Sequence, residues 1–438
     1  MPAPAQILAS LPDTGLFRQD DSCEVRSLPW RLTPEPLRLP AKIARQLQGL
    51  GHVLASFQDA CHELYLRSAE GETHPWLAAM LDAGKPAWLV RAQRSQALRR
   101  GAPRVIRPDL MLGEEGFALS ELDSVPGGQG TTLFLSRLYA AHGFDVLGGA
   151  DGMLDGFRAA HPGGCTVAVS DESADYRPEM AYFARELGEG YSCERAETLN
   201  PGEMKGRTLY RFFELFDTEN IPPAQQLIAM SARGELAMSP TPVQHLEEKI
   251  WLALFHMPGL RSTWKKLLRG THFDRLQQII PRGWVMNPAP LPPQASLPGL
   301  DAHSWEEVAS MSQKKRRLVL KISGFDPSAW GAHGVFIGHD MSSNAWREAL
   351  ERALADYPHK LWLLQEFRPG AIVEHPFYLS GEAEATATMH GRVRLCPYYY
   401  RHANGHTELG GCLATIAPAD KKKIHGMKDA VLAPCIVC

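Results

Sequence analysis

The chain has 438 residues, of which 44% are hydrophobic and 22% charged, and its formal net charge is -3. This length allows a large core and two or three domains, and the composition is that of an ordinary globular protein. Because charges of both signs are spread along the chain and no apolar run reaches ~18 residues, we expect neither a nucleic-acid partner nor a membrane partner.

The N-terminal hundred residues predict an arm followed by helices. Residues 1–40 are rich in proline and predict an irregular arm. Residues 41–100 predict helices, with a second helix near Pro75–Ala83. Apolar residues recur there at the three-and-four spacing of a helix: Ile43, Leu47, Leu50, Val53, Leu54 and Phe57. We interpret 1–100 as an N-terminal arm and helical cap.

Residues 104–130 predict a β-hairpin that turns at Gly113–Gly116 and ends in a Pro-Gly-Gly turn. The hairpin carries four charged side chains: Arg107, Asp109, Glu121 and Asp123. Strand side chains alternate between faces. Arg107 and Asp109 therefore share one face, and Glu121 and Asp123 share one face.

The length of the turn decides whether the two pairs meet. A two-residue loop pairs Asp109 with Ser120 and sends Glu121 to the opposite face. A three-residue or five-residue loop pairs Asp109 with Leu119 and Arg107 with Glu121, so that all four charges line one face. We favour the second register because it separates charge from hydrocarbon. The opposite face then holds Ile106, Leu110, Leu112, Ala118 and Leu122.

Three neighbouring carboxylates repel one another unless a cation neutralises them. Mg²⁺ is a hard ion that takes carboxylate and phosphate oxygens, so Asp109, Glu121 and Asp123 are candidate metal ligands. Arg107 is then a candidate catalytic residue that stabilises phosphate or a developing acyl anion. The alternative is a solvated hairpin face with surface ion pairs.

The motif on this hairpin is R-x-D, then E-x-D twelve residues after the first Asp, then a turn of small residues. It resembles circularly permuted ATP-grasp enzymes such as glutathionylspermidine synthase and eukaryotic-type glutathione synthetase. The resemblance covers roughly 100–135 and 240–438. It implies that the hairpin carries the magnesium ligands and that the lysines and glycine loop gripping ATP come late. The family usually has Asn where this chain has Asp123.

Residues 151–240 predict a small α/β unit. Cys165–Ser170 predicts a buried strand, Tyr176–Leu187 an amphipathic helix, and Arg207–Phe216 a further strand or helix. The alternation predicts a parallel sheet. The resemblance implies that such a unit helps to bind the acyl substrate. Arg211 and Glu214 are interpreted either as ligand contacts or as structural ion pairs.

His245–Phe255 predicts one helix, with Lys249 beside its apolar stripe. The resemblance implies that Lys249 contacts the nucleotide; the alternative is a surface lysine. Residues 286–298 predict a proline-rich loop that cannot lie inside a helix or strand.

Residues 318–325 predict a strand with Lys321 inside it. A lysine in an apolar strand needs a partner, and we interpret that partner as an ATP phosphate, with a snorkelling edge lysine as the alternative. The following stretch, GAHGVFIG, supplies Gly331, His333, Gly334 and Val335. Glycines let backbone N–H groups approach phosphates closely, and the whole pattern resembles the ATP-grasp lid.

Two further strands complete the nucleotide end, after a helix predicted over Ser343–Tyr357. The strand Lys360–Phe367 ends in three residues that the resemblance places in the adenine hinge: Gln365, Glu366 and Phe367. The strand Val393–Tyr400 carries Arg394, which the resemblance turns towards the phosphates. Cys435 and Cys438 form a C-x-x-C without a second pair, so we expect reduced thiols rather than zinc.

The sequence thus predicts an α/β (α+β) fold with a circularly permuted ATP-grasp core, a small parallel-sheet subdomain and a helical cap. The predicted domains are 1–100 (arm and cap), 101–150 (metal-binding hairpin), 151–240 (small α/β unit) and 241–438 (nucleotide-binding lobes). The hairpin and the Lys321 strand are expected to surround one ATP.

The predicted function is ATP- and Mg²⁺-dependent ligation of a carboxylate to an amine, or a similar nucleophile, through an acyl-phosphate with release of ADP. The alternatives are a non-catalytic nucleotide-binding module and a small-molecule kinase. We expect small-molecule substrates and a cytoplasmic location, and leave open whether the chain forms a homo-oligomer.

Overall fold

The computed structural model describes residues 3, 6–7, 11, 14–16, 28, 30–290, 296–329, 333–379, 385–421 and 429–438. No helix in these ranges is long and apolar enough to cross a bilayer. The chain forms two compact units. Unit 1 comprises Met1–Asp59, Arg91–Val243 and Pro369–Cys438, and unit 2 comprises Ala60–Val90 and Gln244–Arg368. The predicted segment 241–438 is thereby divided between them.

The strands follow in chain order. They are β1 (Leu37–Leu39), β2 (Val105–Leu112), β3 (Phe117–Asp123), β4 (Cys165–Val169), β5 (Tyr191–Arg195), β6 (Thr208–Phe212), β7 (Ala237–Ser239), β8 (Gly283–Val285), β9 (Leu318–Ile322), β10 (Val335–Ile337), β11 (Trp362–Glu366), β12 (Ile372–Tyr378), β13 (Thr386–Arg401), β14 (Thr407–Pro418) and β15 (Val431–Val437).

The α-helices are α1 (Ala41–Gln48), α2 (Leu50–Ala69), α3 (Pro75–Asp82), α4 (Ala87–Gln93), α5 (Gln129–Ala141), α6 (Gly152–Ala160), α7 (Arg177–Leu187), α8 (Ala224–Ala232), α9 (Trp251–Leu254), α10 (Arg261–Leu267), α11 (Gly270–Ile279), α12 (Trp305–Ala309) and α13 (Ser343–Asp356). The predicted N-terminal helices, hairpin and alternating α/β unit are therefore present, and the chain is a mixed α/β protein.

Unit 1 contains a seven-stranded sheet and a four-stranded sheet. The larger sheet runs β1-β15-β14-β13-β2-β3, and β12 also pairs with β13. Helices α5 and α6 pack on it, with buried aromatic side chains such as Phe157, Tyr398 and Tyr400 between the layers. The smaller sheet runs β5-β4-β6-β7, and all of its pairs are parallel, as the strand–helix alternation predicted.

The hairpin β2–β3 gathers its four charges on one face through a different register from the predicted one. Arg107 faces Asp123 and Asp109 faces Glu121, whereas nearer the turn Leu110 faces Leu119. The predicted pairs Arg107 with Glu121 and Asp109 with Leu119 are wrong.

The reason for this difference is a β-bulge, in which Ser120 is an extra residue without a partner on β2. The bulge sends Leu119 and Glu121 to opposite faces although they are two positions apart. Leu119 thus lies on the apolar face, and Ala118, which we predicted there, lies on the charged face opposite Met111.

Unit 2 contains an antiparallel four-stranded sheet in the order β10-β9-β11-β8. One face of this sheet packs on α13, where Trp346, Leu350 and Ala353 are buried against strand residues such as Leu320 and Leu364. Lys321 points to the other face, together with its cross-strand neighbours Val335 and Leu363.

The single helix predicted over His245–Phe255 is wrong. The segment forms a 3₁₀ helix, Gln244–Glu247, and then the short helix α9, with Lys249 between them. The Lys249 N–H donates to the carbonyl of Ser323 at 3.2 Å, and the Ile250 N–H donates to Ser323 Oγ at 2.8 Å. These donors bond to the residue after β9 rather than to a preceding helical turn, so the helix is interrupted.

Candidate functional site

The charged face of the hairpin is a partly buried ionic cluster. Arg107 forms a charge-assisted hydrogen bond to Asp123 and lies 3.2 Å from Asp109 Oδ1. Its Nη1 donates to the Gly127 carbonyl at 3.3 Å. Burial lowers the pKa of Arg107, but Asp123 and Asp109 outweigh burial, so the pKa lies well above its usual value. The guanidinium is therefore a permanent cation in this site.

A second arginine reaches the same acid from the neighbouring strand β13. Arg394 Nη1 donates to Asp109 Oδ2 at 3.0 Å, and the Cys396 thiol donates to Asp109 Oδ1 at 3.4 Å. Asp109 is only 4% exposed. Burial and the nearby Asp109 raise the pKa of the Cys396 thiol to about 12, so the thiol stays protonated. Asp109 thus holds two guanidinium groups in place.

Both arginines also have a buried Nε–H group without a hydrogen-bond acceptor in the described part of the chain. A buried donor without an acceptor costs about 1–3 kcal/mol, more when it is charged, and such groups call for an explanation. An anionic ligand would satisfy the Nε–H groups of Arg107 and Arg394. The donor set therefore fits a phosphate or carboxylate.

The donor set fits Mg²⁺ less completely. Among the described residues no three His, Cys, Asp or Glu side chains form a ready metal-ligand group. Asp109 and Asp123 already accept hydrogen bonds from guanidinium groups, and Asp123 Oδ1 also accepts from the Val125 N–H at 3.0 Å. Glu121 and Asp123 are carboxylates of the type that Mg²⁺ binds together with phosphate oxygens. Whether the three acids bind metal stays a prediction.

The glycine turn after the hairpin is filled by protein groups. A Cβ on Gly127 would lie 2.4 Å from the Tyr176 ring, and one on Gly128 would lie 2.5 Å from Tyr398 Oη. The carboxylate of Glu179 accepts the Gly128 N–H at 2.5 Å, at the start of α5. Glycine is required here for close packing, and Glu179 occupies the place that an anion takes at many helix N-termini.

The hairpin also meets the carboxyl end of the small parallel sheet. Ser124, which follows Asp123, donates its hydroxyl hydrogen to Glu214, with both carboxylate oxygens at 2.9 Å. Glu214 comes just after β6. In the sheet order β5-β4-β6-β7, the chain places β5 on one side of β4 and β6 on the other. Ligands of parallel sheets bind at the carboxyl ends of the strands beside such a switch point. Arg211, in contrast, is fully buried and donates to the Phe213 and Pro240 carbonyls, so its role is structural.

In unit 2, Lys321 is 8% exposed and donates from Nζ to Gln365 Oε1 at 3.1 Å. Gln365 is fixed in turn by a hydrogen bond from Nε2 to the Pro281 carbonyl at 3.4 Å. Two of the predicted nucleotide residues are therefore in direct contact. In this contact Gln365 supplies a neutral amide oxygen.

The other hinge residues are arranged differently. Glu366 points to the face opposite Lys321 and pairs with Arg368 at 3.2 Å. The backbone N–H of Glu366 donates to the Arg282 carbonyl at 2.8 Å, and that of Phe367 to the Arg317 carbonyl at 2.9 Å. Neither N–H can bind a base without losing its present acceptor.

The loop before β10 is only partly described. Gly331 lies outside the described residues, and His333 is exposed. Gly334 is packed tightly, since a Cβ there would lie 2.3 Å from Ile322 Cγ2 and 2.7 Å from the Ser328 carbonyl oxygen. Lys249 is half-buried, and its Nζ donates to the Ala329 carbonyl at 3.2 Å, so it lies against this segment.

The structure thus brings the predicted residues together as two groups. Unit 1 holds Arg107, Asp109, Glu121, Asp123 and Arg394. Unit 2 holds Lys249, Lys321, His333, Gly334, Val335, Gln365, Glu366 and Phe367. Our prediction that both groups surround one ATP stays a prediction. Sequence reasoning missed Cys396 and Glu179. Cys396 is two positions after Arg394 and so shares its strand face, a spacing that would have indicated it.

Comparison with known proteins gives the class of fold. No family model matches the chain, and no curated protein matches it. A solved structure of a glutathione synthetase-like effector from Globodera pallida matches 99% of this chain and 96% of its own, with 13% identity and a TM-score of 0.57. At this identity the likeness shows the fold alone, so the chain has a glutathione synthetase-like fold.

A second structure, of a gamma-glutamylcysteine synthetase-like protein from Methylobacillus flagellatus KT, covers 91% of this chain and 87% of its own at 11% identity. Its TM-score is 0.36, which is too low to indicate a shared fold.

Proposed function

We propose that the chain is an ATP- and Mg²⁺-dependent ligase that joins a carboxylate to an amine and releases ADP and phosphate. The observation that carries the proposal is the pair of partly buried arginines on Asp109, beside Glu121 and Asp123. Each arginine has a buried Nε–H that lacks an acceptor in the described part of the chain. The shared fold with a glutathione synthetase-like effector supports it.

In this reaction the substrate carboxylate attacks the γ-phosphorus of ATP, the bond to ADP breaks, and an acyl-phosphate forms. The amine then attacks the acyl carbon and loses a proton, and phosphate leaves with the bonding pair. Arg107 and Arg394 would donate Nε–H hydrogen bonds to the oxygens on which charge develops. Asp109 would fix both guanidinium groups, because it already bonds to each of them.

Glu121 and Asp123 are the acids we assign first to Mg²⁺, and Asp109 is the third predicted ligand. When bound, the ion neutralises charge on the phosphate oxygens during transfer. We assign the polyphosphate to Lys321, Lys249 and the loop containing Gly331, His333, Gly334 and Val335, and the adenine to Gln365–Phe367. Gln365, which accepts a hydrogen bond from Lys321 Nζ, would orient the ammonium group for a phosphate.

Glu214 gives the proposal a substrate class. Its carboxylate is half-buried at the end of β6 and is hydrogen-bonded to Ser124, next to the charged face of the hairpin. A carboxylate in that position suits a substrate that carries an ammonium group near its reacting carboxylate. We therefore favour an amino acid or a peptide as the acyl substrate.

The test is ADP release by the purified protein with ATP, Mg²⁺ and a panel of amino acids, peptides and polyamines. A ligase releases ADP only when both acid and amine are present. A kinase releases ADP with one substrate alone, and a non-catalytic module binds ATP without releasing ADP. Transfer of ¹⁸O from a labelled carboxylate to phosphate would identify the acyl-phosphate route, and unlabelled phosphate would contradict it.

Variants connect this activity to the hairpin. Arg107→Gln should lower kcat by about 10²–10³, the usual loss for one donor to a developing anion. Asp109→Asn, Glu121→Gln and Asp123→Asn should each reduce Mg²⁺-dependent turnover, Asp123→Asn least. The exposed turn residue Glu115 gives a matched control, Glu115→Gln, that should keep full activity. Unchanged turnover in all four site variants would remove the site from the proposal.

A further inference from the structure

Unit 2 contains a cavity that the proposed ligase reaction does not use. Its volume is about 510 Å³, within the range of pockets that hold small organic molecules. Neither Lys321 nor Gln365 lines it, and nor do the described residues of the loop before β10. The lining of this cavity therefore contains none of the described residues that we assign to the nucleotide.

The walls of this cavity are aromatic and rigid. Trp284 and Trp305 line it, and their indole N–H groups are bound to the carbonyls of Pro298 at 3.0 Å and of Asn287 at 2.8 Å. Phe255, Phe273 and Tyr357 add further rings. Flat side chains held in place favour a planar ligand, because stacking needs no reordering of the wall.

The rim of the cavity carries an exposed aromatic side chain. Trp76, on α3, lines the cavity and is 41% exposed. A large apolar side chain left partly in water gains free energy when a ligand covers it. Trp76 therefore offers additional apolar surface to a ligand that extends to the rim.

The charged groups that line the cavity are all basic. Arg261 and Arg282 line it, and no Asp or Glu does so among the described residues. The Arg261 guanidinium lies 5.8 Å from the centre of the Phe273 ring, and Arg282 packs against Gly299. His256 also lines the cavity and donates from Nε2 to the Ile280 carbonyl at 3.0 Å. Burial lowers its pKa, and Arg282 lowers it further, so His256 adds no charge at neutral pH.

From this lining we propose that the cavity binds an aromatic organic anion other than the nucleotide, a planar ring system carrying a carboxylate, sulfonate or phosphate. The rings stack on the tryptophan walls, and the acidic group pairs with the arginines of the lining, Arg261 and Arg282. An arginine binds such a group through two parallel N–H donors. The proposal does not depend on the ligase function.

The probe is 8-anilinonaphthalene-1-sulfonate, an aromatic anion, compared with its neutral analogue N-phenyl-1-naphthylamine. We expect saturable binding at one site on the folded chain, with energy transfer from tryptophan. The anion should bind more tightly than the neutral analogue. The double variant Arg261→Gln/Arg282→Gln should weaken binding of the anion by about tenfold and leave binding of the neutral analogue unchanged. Arg347→Gln is the matched control, an exposed arginine of unit 2 outside the cavity.

A second variant tests the location. Ala289 is exposed and lines the cavity, so Ala289→Trp should block both probes while the far-UV and near-UV circular dichroism stay unchanged. Equal binding to wild type and Ala289→Trp, or no saturable binding to wild type, would overturn the proposal. Competitive displacement by MgATP would also overturn it, because the cavity would then be part of the nucleotide site.

Discussion

Asp109 is the side chain on which the partly buried Arg107 and Arg394 of unit 1 converge. A buried charge that loses its partner is destabilising, typically by 3–5 kcal/mol, and the cost falls when other partners remain. Arg107 keeps Asp123 as a partner, whereas the only ion pair of Arg394 among the described residues is with Asp109.

We therefore predict that Asp109→Asn lowers the free energy of unfolding by roughly 2–4 kcal/mol, because Arg394 loses its direct ion pair and keeps only the weaker attraction of Glu121. Urea denaturation at neutral pH measures the change. Glu115→Gln, at the exposed turn, should lie within about 0.5 kcal/mol of wild type. If Asp109→Asn proves as stable as that control, the cluster is more hydrated than its contacts indicate.

His161 gives a prediction for pH. Its Nδ1–H donates to the Phe157 carbonyl at 3.2 Å, and its buried Nε2 has no hydrogen-bond partner in the described part of the chain. Burial, with a smaller contribution from Arg104, lowers the pKa of His161 to about 4 despite the hydrogen bond to Phe157. Protonation would place an N–H among Phe157 and Tyr210 without an acceptor.

Because the unfolded chain binds this proton near pH 6.5 and the folded chain only near pH 4, the unfolded state gains stability as the pH falls. Neutral His161 thus contributes fully to the free energy of unfolding above pH 6.5. This contribution decreases as the pH falls from 6.5 to about 4, by roughly 3 kcal/mol in total. The free energy of unfolding of His161→Leu should fall less steeply than that of wild type between pH 6.5 and 4.5. His52→Gln, at an exposed histidine, should keep the wild-type slope.

The sequence was sufficient to predict that the three acids and Arg107 lie together on the hairpin, but not which residues from distant segments contact them. Arg107, Asp109, Glu121 and Asp123 lie within 17 positions, so strand alternation alone gathered them. Cys396 lies 287 positions after Asp109, whose carboxylate it contacts. Glu179 lies 51 positions after Gly128, whose N–H it accepts. No local pattern links such residues, because their contacts depend on which strands and helices become neighbours.

At the level of elements, helix α5 begins without a side-chain cap of its own. Its N-cap is Gly128, and the carboxylate of Glu179 on α7 accepts the Gly128 N–H at 2.5 Å and the Thr131 hydroxyl at 2.9 Å. A cap supplied by a second helix joins the two elements as well as stabilising the first turn.

We predict that Glu179→Ala lowers the free energy of unfolding by about 1–3 kcal/mol and increases hydrogen exchange at the first turn of α5. Glu186→Ala, on the same helix α7 but pairing with Arg137 at a partly exposed site, should change stability by less than about 1 kcal/mol. Equal losses for the two variants would show that Glu179 does not act as a cap.

Gly334 provides a test in the sheet of unit 2. Since a Cβ there would lie 2.3 Å from Ile322 Cγ2 and 2.7 Å from the Ser328 carbonyl oxygen, Gly334→Ala must displace β9 or the loop. We expect a loss of roughly 1–3 kcal/mol, seen as a Tm several degrees below wild type. Gly259→Ala, where nothing lies within 4 Å of the added carbon, should keep a Tm near that of wild type.

The elements also show where sequence patterns stop being informative. The parallel sheet and the strand of Lys321 follow from alternation and apolar runs, and both were predicted. The bulge at Ser120 was not, because apolar–charged alternation is compatible with several registers until a turn is chosen. The break at Lys249 was missed because the acceptor, Ser323, is 74 positions away.

At the scale of the whole molecule, unit 1 is assembled from three stretches of chain, and the last of them supplies the central strands of its large sheet. Strand β13 pairs with β2, β12 and β14, so its removal would leave β2 and the charged hairpin without their sheet. The predicted domain ranges followed chain order and could not indicate this, because sequence patterns do not report which distant segments pair.

We predict that a chain ending at residue 385 fails to form unit 1. Its near-UV circular dichroism should lose the signal of the buried tyrosines in α5 and β6, and the protein should aggregate, because a long strand edge is exposed. The comparison is a chain ending at residue 437, which lacks only the exposed Cys438. A soluble truncated protein with native near-UV signals would contradict this dependence.

The pairing of Met111 with Arg394 also has a consequence during synthesis. The two residues are 283 positions apart, and ribosomes add roughly 5–20 residues per second. The hairpin β2–β3 therefore leaves the ribosome roughly 15–60 s before the strand that completes it. During this interval one edge of β2 has no strand to pair with, and Asp109 lacks its ion pair with Arg394. A nascent chain of this protein should thus bind chaperones until residue 401, where β13 ends, has left the ribosome.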